Sequence, residues 1–81
     1  MIIALKKILR KNQYGEYCIK EYRNFNYVKD SDYFTDDLQD LHNTFDCICN
    51  DYAKFYNLSL CNHSTSKCSE TIILISKGGA K

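Results

Sequence analysis

Residues 36–56, DDLQDLHNTFDCICNDYAKFY, decide the fold. Leu38, Leu41, Phe45, Ile48, Tyr52 and Phe55 recur at steps of three and four. On a helix of 3.6 residues per turn they line up as one apolar stripe. Cys49 and Tyr56 flank the stripe, and Asp36, Asp40, Asn43, Asn50, Asp51 and Lys54 fall on the other side. Thr35 or Ser31 is placed to cap the start, and Asp36 and Asp37 suit the positive end of the helix dipole. Phe45 and Ile48, at the centre of the stripe, are expected to be buried. The helix is expected to end where Asn57, Ser59 and Asn62 read as loop formers.

Outward from this helix, Thr71-Ile-Ile-Leu-Ile75 is a short β-branched run. It predicts a buried strand over 70–77, central in a sheet or flanked by other strands. Residues 78–81 read as a frayed tail. Upstream, 16–23 and 25–29 are rich in Tyr, Ile, Phe and Val and read as two strands, bent at Arg23-Asn24. Residues 1–11 are ambiguous. Met1, Leu5 and Ile8 make a helical stripe with lysines opposite, and Ala, Leu, Lys and Arg favour helix. Ile2-Ile3-Ala4-Leu5 equally begins a strand pairing with the C-terminal one, although the balance of propensity leans to helix. Gly15 fits the turn that follows. The expected fold class is α+β: a single small domain over 1–81, its small, mostly antiparallel sheet packed on one long amphipathic helix.

Length agrees with one domain. A chain of 81 residues buries only about 60–65% of the surface its unfolded form exposes, so its core is modest. Apolar residues make up 44% and aromatics 14%, which is globular rather than disordered. Pro is absent, which excludes Pro-rich linkers and ligands. No segment approaches the roughly 20 apolar residues of a membrane span. The apolar start is interrupted at Lys6 and Lys7, too early for a signal peptide. The expected location is therefore the cytoplasm, with no membrane partner.

Charge cancels overall, at +1, but is segregated along the chain. Residues 1–29 carry +5. Residues 30–53 carry seven Asp and no Lys or Arg. Residues 54–81 carry +3. The acidic block either solvates the helix or docks on a basic partner, where clustered carboxylates mimic a row of phosphates. On the second reading the partner-binding residues are Asp30, Asp32, Tyr33, Asp36, Asp40 and Asp51. The basic block offers the alternative. Lys20, Arg23 and Lys29, interleaved with Tyr22 and neighbouring aromatics, suit a sheet face that stacks bases and holds phosphates.

Catalytic chemistry has little to rest on. His42 and Asp46 lie one helical turn apart, a spacing that is mostly structural. There is no Gly-rich phosphate loop, and the reading is a protein that is not an enzyme and needs no cofactor. Five cysteines without a signal peptide argue against a disulfide framework. Three readings of Cys61, His63 and Cys68 remain: free thiols, part of a zinc site completed by Cys49 or His42, or a Cys61–Cys68 bridge. The free-thiol reading makes Cys47, away from the stripe, more reactive than Cys49.

In size, in a composition typical of AT-rich coding sequence, and in the Asp- and Tyr-bearing segment from Asp30-Ser-Asp-Tyr33 to Asp51-Tyr52, the chain resembles small orphan proteins of phages and mobile elements. Anti-CRISPR inhibitors are among them. Those proteins share no motif, so no functional residue carries over. The resemblance implies a stoichiometric inhibitor that acts through its surface in the host cytoplasm. Its expected partner is a host protein with a basic surface, such as a nucleic-acid-binding complex.

Overall fold

Ile2–Ile8 is a strand, β1, and lies at the middle of the sheet. It pairs antiparallel with β2 (Tyr17–Arg23) on one side and with β6 (Ser69–Ser76) on the other. The lean to helix over 1–11 is thereby overturned. Ile3, Leu5 and Lys7 alternate into the interior, a period of two that a helix does not produce. Hydrogen bonding along both edges outweighs the helix propensity of Leu and Lys, which is a weak prior.

The computed structural model describes residues 1–77. The expected tail at 78–81 lies outside the described residues. The remaining elements are β3 (Asn26–Tyr27), a 3-10 turn at Lys29–Ser31, β4 (Tyr33–Thr35), α1 (Leu38–Phe55) and β5 (Leu58–Thr65). The sheet runs β3-β2-β1-β6-β5, and β4 also pairs with β2. The domain is α+β, with α1 layered on one side of an antiparallel sheet.

The core is where α1 meets that side. Leu41, Phe45 and Cys49 pack against Ile3, Leu5, Ile19, Leu58 and Leu74. Each apolar side chain buried this fully is worth about 1.5–3 kcal/mol. The stripe is rotated from the expected one. Phe45 is fully buried, but Ile48 is only half-buried, and Cys49 replaces it at the centre. Phe55 is 80% exposed, because it lies in the last turn, where the flank of the helix no longer faces the sheet. Asp37, rather than Thr35 or Ser31, caps α1 and accepts from the backbone N–H of Gln39 and Asp40. Asp36 therefore precedes the helix.

Two further expectations change. The helix ends before Asn57 as expected, but residues 58–62 do not form a loop. Asn57 adopts φ 54 after the last helical turn, the left-handed stop that Asn tolerates. The chain then enters β5 at once, with a register shift at Cys61. The strand expected over 25–29 shrinks to β3, because Asn24 and Phe25 both have positive φ, at 50° and 71°. That is the two-residue hairpin turn whose twist matches the strands. Asn suits it; a bulky Phe does not. Gly15, at φ 77, turns the chain between β1 and β2 as expected.

Candidate functional site

Alternation along the strands assigns every side chain to the helix side or the opposite side of the sheet. The strand carboxylates Glu21 and Glu70 both lie on the helix side, and both are paired there. Glu21 is 2% exposed and accepts from Arg23 Nε and from the Tyr52 hydroxyl at 2.8 Å. The Arg23 guanidinium lies over the rings of Tyr52 and Tyr56 and donates to the Tyr56 hydroxyl at 3.2 Å. Hydrogen bonds to Glu21 and Tyr56 hold Arg23 more firmly protonated than usual.

A second cluster sits towards the start of α1. Lys7 is 4% exposed, contacts Glu70 at 2.7 Å and donates to His42 Nδ1 at 2.8 Å, with its ammonium over the Phe45 ring. His63 donates to the other Glu70 oxygen at 2.6 Å. The Lys7 hydrogen bond, aided by His63, holds the Glu70 carboxyl below its usual range. Both histidines are thus engaged by Lys7 or Glu70. His42 turns to Lys7 rather than to Asp46. Sequence reasoning missed this cluster; reading 2–8 with period two places Lys7 on the buried side.

The acidic candidates separate into two groups. Asp32 accepts from the Tyr27 hydroxyl, and Asp40 accepts from the hydroxyls of Tyr33 and Thr44. Tyr33 is half-buried against the core. Asp32, Tyr33 and Asp40 therefore serve the fold before any partner. The Tyr33 hydrogen bond keeps the Asp40 carboxyl lower than usual, and the same bond raises Tyr33. Asp30, Asp36, Asp46 and Asp51 are exposed. On the helix, Asp51 and Asp46 occupy opposite flanks, with Asn43, Cys47 and Asn50 between them along the solvent crest. Among the described residues, none of the seven Asp of 30–53 lies within ion-pair distance of a cation.

The basic candidates are divided by the sheet. Lys20 and Tyr22 lie on the side away from the helix, Arg23 is held on the helix side, and Lys29 stands exposed in the 3-10 turn. Lys6, which no sequence pattern singled out, joins Lys20 directly across the strands.

The five thiols are free. Cys61 sits at the β5 register shift beside Leu60, and Cys68 at the far end of the same hairpin. About five residues of strand, roughly 15 Å, separate their backbones, too far for a bridge without rearrangement. Among the described residues no three His, Cys, Asp or Glu side chains converge as a metal site. Cys47 is exposed, while burial and nearby Asp46 push the Cys49 thiol up to about 11. No described helix is long and apolar enough to cross a membrane.

Fold and surface together define a small α+β domain with carboxylates around its helix and lysines on its bare sheet. No protein-family model matches the sequence, and no curated protein and no solved structure matches it.

Proposed function

We propose that this protein is a non-enzymatic, protein-binding inhibitor of the kind found in phages and mobile elements, anti-CRISPR-like in mode and acting in the host cytoplasm. One observation carries the reading: seven Asp between 30 and 53, none paired with a described cation, in a chain that has 11 Lys and Arg. Folding does not require this. The capping and hydroxyl-bonded residues Asp37, Asp40 and Asp32 have structural roles, whereas the side chains of Asp30, Asp46 and Asp51 bond to nothing among the described residues and Asp36 serves at most the helix dipole. Unpaired carboxylates at this density steer a basic partner and compete with nucleic acid for its groove.

The test uses tagged protein in bacterial lysate, with and without nuclease. A basic protein retained after nuclease is the expected catch. Reversing Asp36, Asp46 and Asp51 to Lys leaves the protein folded, at a cost of about 0.5 kcal/mol or less for each surface substitution and slightly more at Asp36 beside the helix start. It also abolishes capture, and added salt reproduces part of that loss in the parent. If the reversed protein retains the same partner as well as the parent does, the acidic surface is a solvated face and nothing more.

A further inference from the structure

The side of the sheet away from α1 carries its own pattern. Antiparallel register aligns Tyr27, Tyr22, Ala4 and Ile73 in one row across β3, β2, β1 and β6. The next row, across β2, β1, β6 and β5, is Lys20, Lys6, Thr71 and Ser64. The two tyrosine rings are 5.4 Å apart. Lys20 Nζ stands 5.1 Å from the Tyr27 ring centroid, so the aromatic and cationic rows touch. Asp32, at the rim, accepts from the Tyr27 hydroxyl and fixes that ring.

Lys6 and Lys20 are direct cross-strand partners at the centre of the sheet. Neither lies within ion-pair distance of a described carboxylate. Like charges placed opposite one another destabilise a sheet. The fold could have relieved this pair with a strand carboxylate, yet Glu21 and Glu70 both lie on the other side. Two ammonium groups without an ion pair, beside two hydroxyls and two tyrosine rings tilted 38° to one another, complement a ligand that has anionic groups next to planar rings.

We propose that this open sheet face binds single-stranded nucleic acid, with bases stacking on Tyr22 and Tyr27 and phosphates held by Lys6 and Lys20. Only unpaired bases expose the faces that tyrosines stack on. An acidic peptide would satisfy the lysines but not the aromatic row. The inference does not rest on the exposed helix carboxylates Asp46 and Asp51, which lie on the other layer; of the acidic block, Asp32 reaches this face, where it holds Tyr27.

Fluorescence anisotropy of the full chain with labelled 20-nucleotide oligo(dT) and oligo(U), at several salt concentrations, tests it. Binding to either probe is expected. The double variant Lys6→Gln/Lys20→Gln should lower the slope of log affinity against log salt by about 1.4, from two lost phosphate contacts at roughly 0.7 each. Its melting temperature should equal or exceed the parent's, which separates lost binding from lost folding. Tyr22→Leu should weaken binding roughly tenfold or more at an unchanged salt slope, through lost stacking. No binding at low salt overturns the proposal. So does binding that is indifferent to both variants. Displacement by poly-glutamate at equal charge, with Tyr22→Leu silent, assigns the face to acidic peptide instead.

Discussion

At the scale of single residues, Phe25 stands out. It holds φ 71 and is 80% exposed, so it combines backbone strain with an apolar ring in water. A non-glycine residue in such a conformation costs about 1–3 kcal/mol, and its exposure returns little. Phe25→Gly should therefore stabilise the protein by roughly 1 kcal/mol, since Asn-Gly is the favoured pair for this turn. Urea unfolding checks it; a loss of stability would mean that the ring packs in the folded state. Glu70 gives the second residue-scale prediction. Its pKa is depressed below the ordinary 4.5, first by Lys7 and then by His63. A carboxyl with a lowered folded pKa contributes stability that is fully present above its unfolded pKa. That contribution is lost as pH falls through the folded pKa. The parent should thus weaken on acidification below about pH 4.5. Glu70→Gln should be less stable at neutral pH, by about 1.5–3 kcal/mol for a lost charged hydrogen bond, and should show a shallower acid limb. Equal acid limbs in melts from pH 7 to 3 would remove Glu70 from the account.

At the scale of elements, α1 is the keystone. Phe45 is 0% exposed and Phe55 is 80% exposed, on one helix. Phe45→Ala should cost about 3–5 kcal/mol through lost transfer energy and the cavity left behind. Phe55→Ala should cost less than about 0.5 kcal/mol. Thermal melts of the two variants measure the phase of the helix directly; similar losses would show that the phase is wrong. The helix was legible because its apolar period is long and local. The strand at 16–23 and the C-terminal strand were legible from β-branched and aromatic runs. β1 was not, since Met1, Leu5 and Ile8 satisfy a helical spacing as well as Ile3, Leu5 and Lys7 satisfy a strand. Only pairing with residues 69–75, far away in sequence, decides between them. β5 was hidden because Asn57, Ser59 and Asn62 are loop formers by type, yet pairing to β6 recruits most of that segment. The candidate surfaces divided in the same way. Exposed Asp30, Asp36 and Asp51 follow from local charge. The meeting of Lys6 with Lys20 needs the register of β1, and so it escaped sequence reading.

At the scale of the whole molecule, the sheet is a partition. Its helix side holds the core, the paired carboxylates and, on the outer face of α1, the exposed Asp46 and Asp51. Its other side holds Lys6, Lys20, Tyr22 and Tyr27, with Asp32 and the buried Cys18 at one end. Variants on one layer should leave the function of the other intact, since distant sites without shared partners act additively. The same partition has an order in time. Among the described strands the central one, residues 2–8, is synthesised first, and one of its two neighbours, residues 69–76, last. At 5–20 residues per second, roughly 3–14 s separate them on the ribosome. Through that interval one edge of β1 has no partner, and Lys7 lacks the carboxylate it is buried against. Core and sheet are therefore completed only once the last strand has emerged, bringing Leu74 to the core and Glu70 to Lys7.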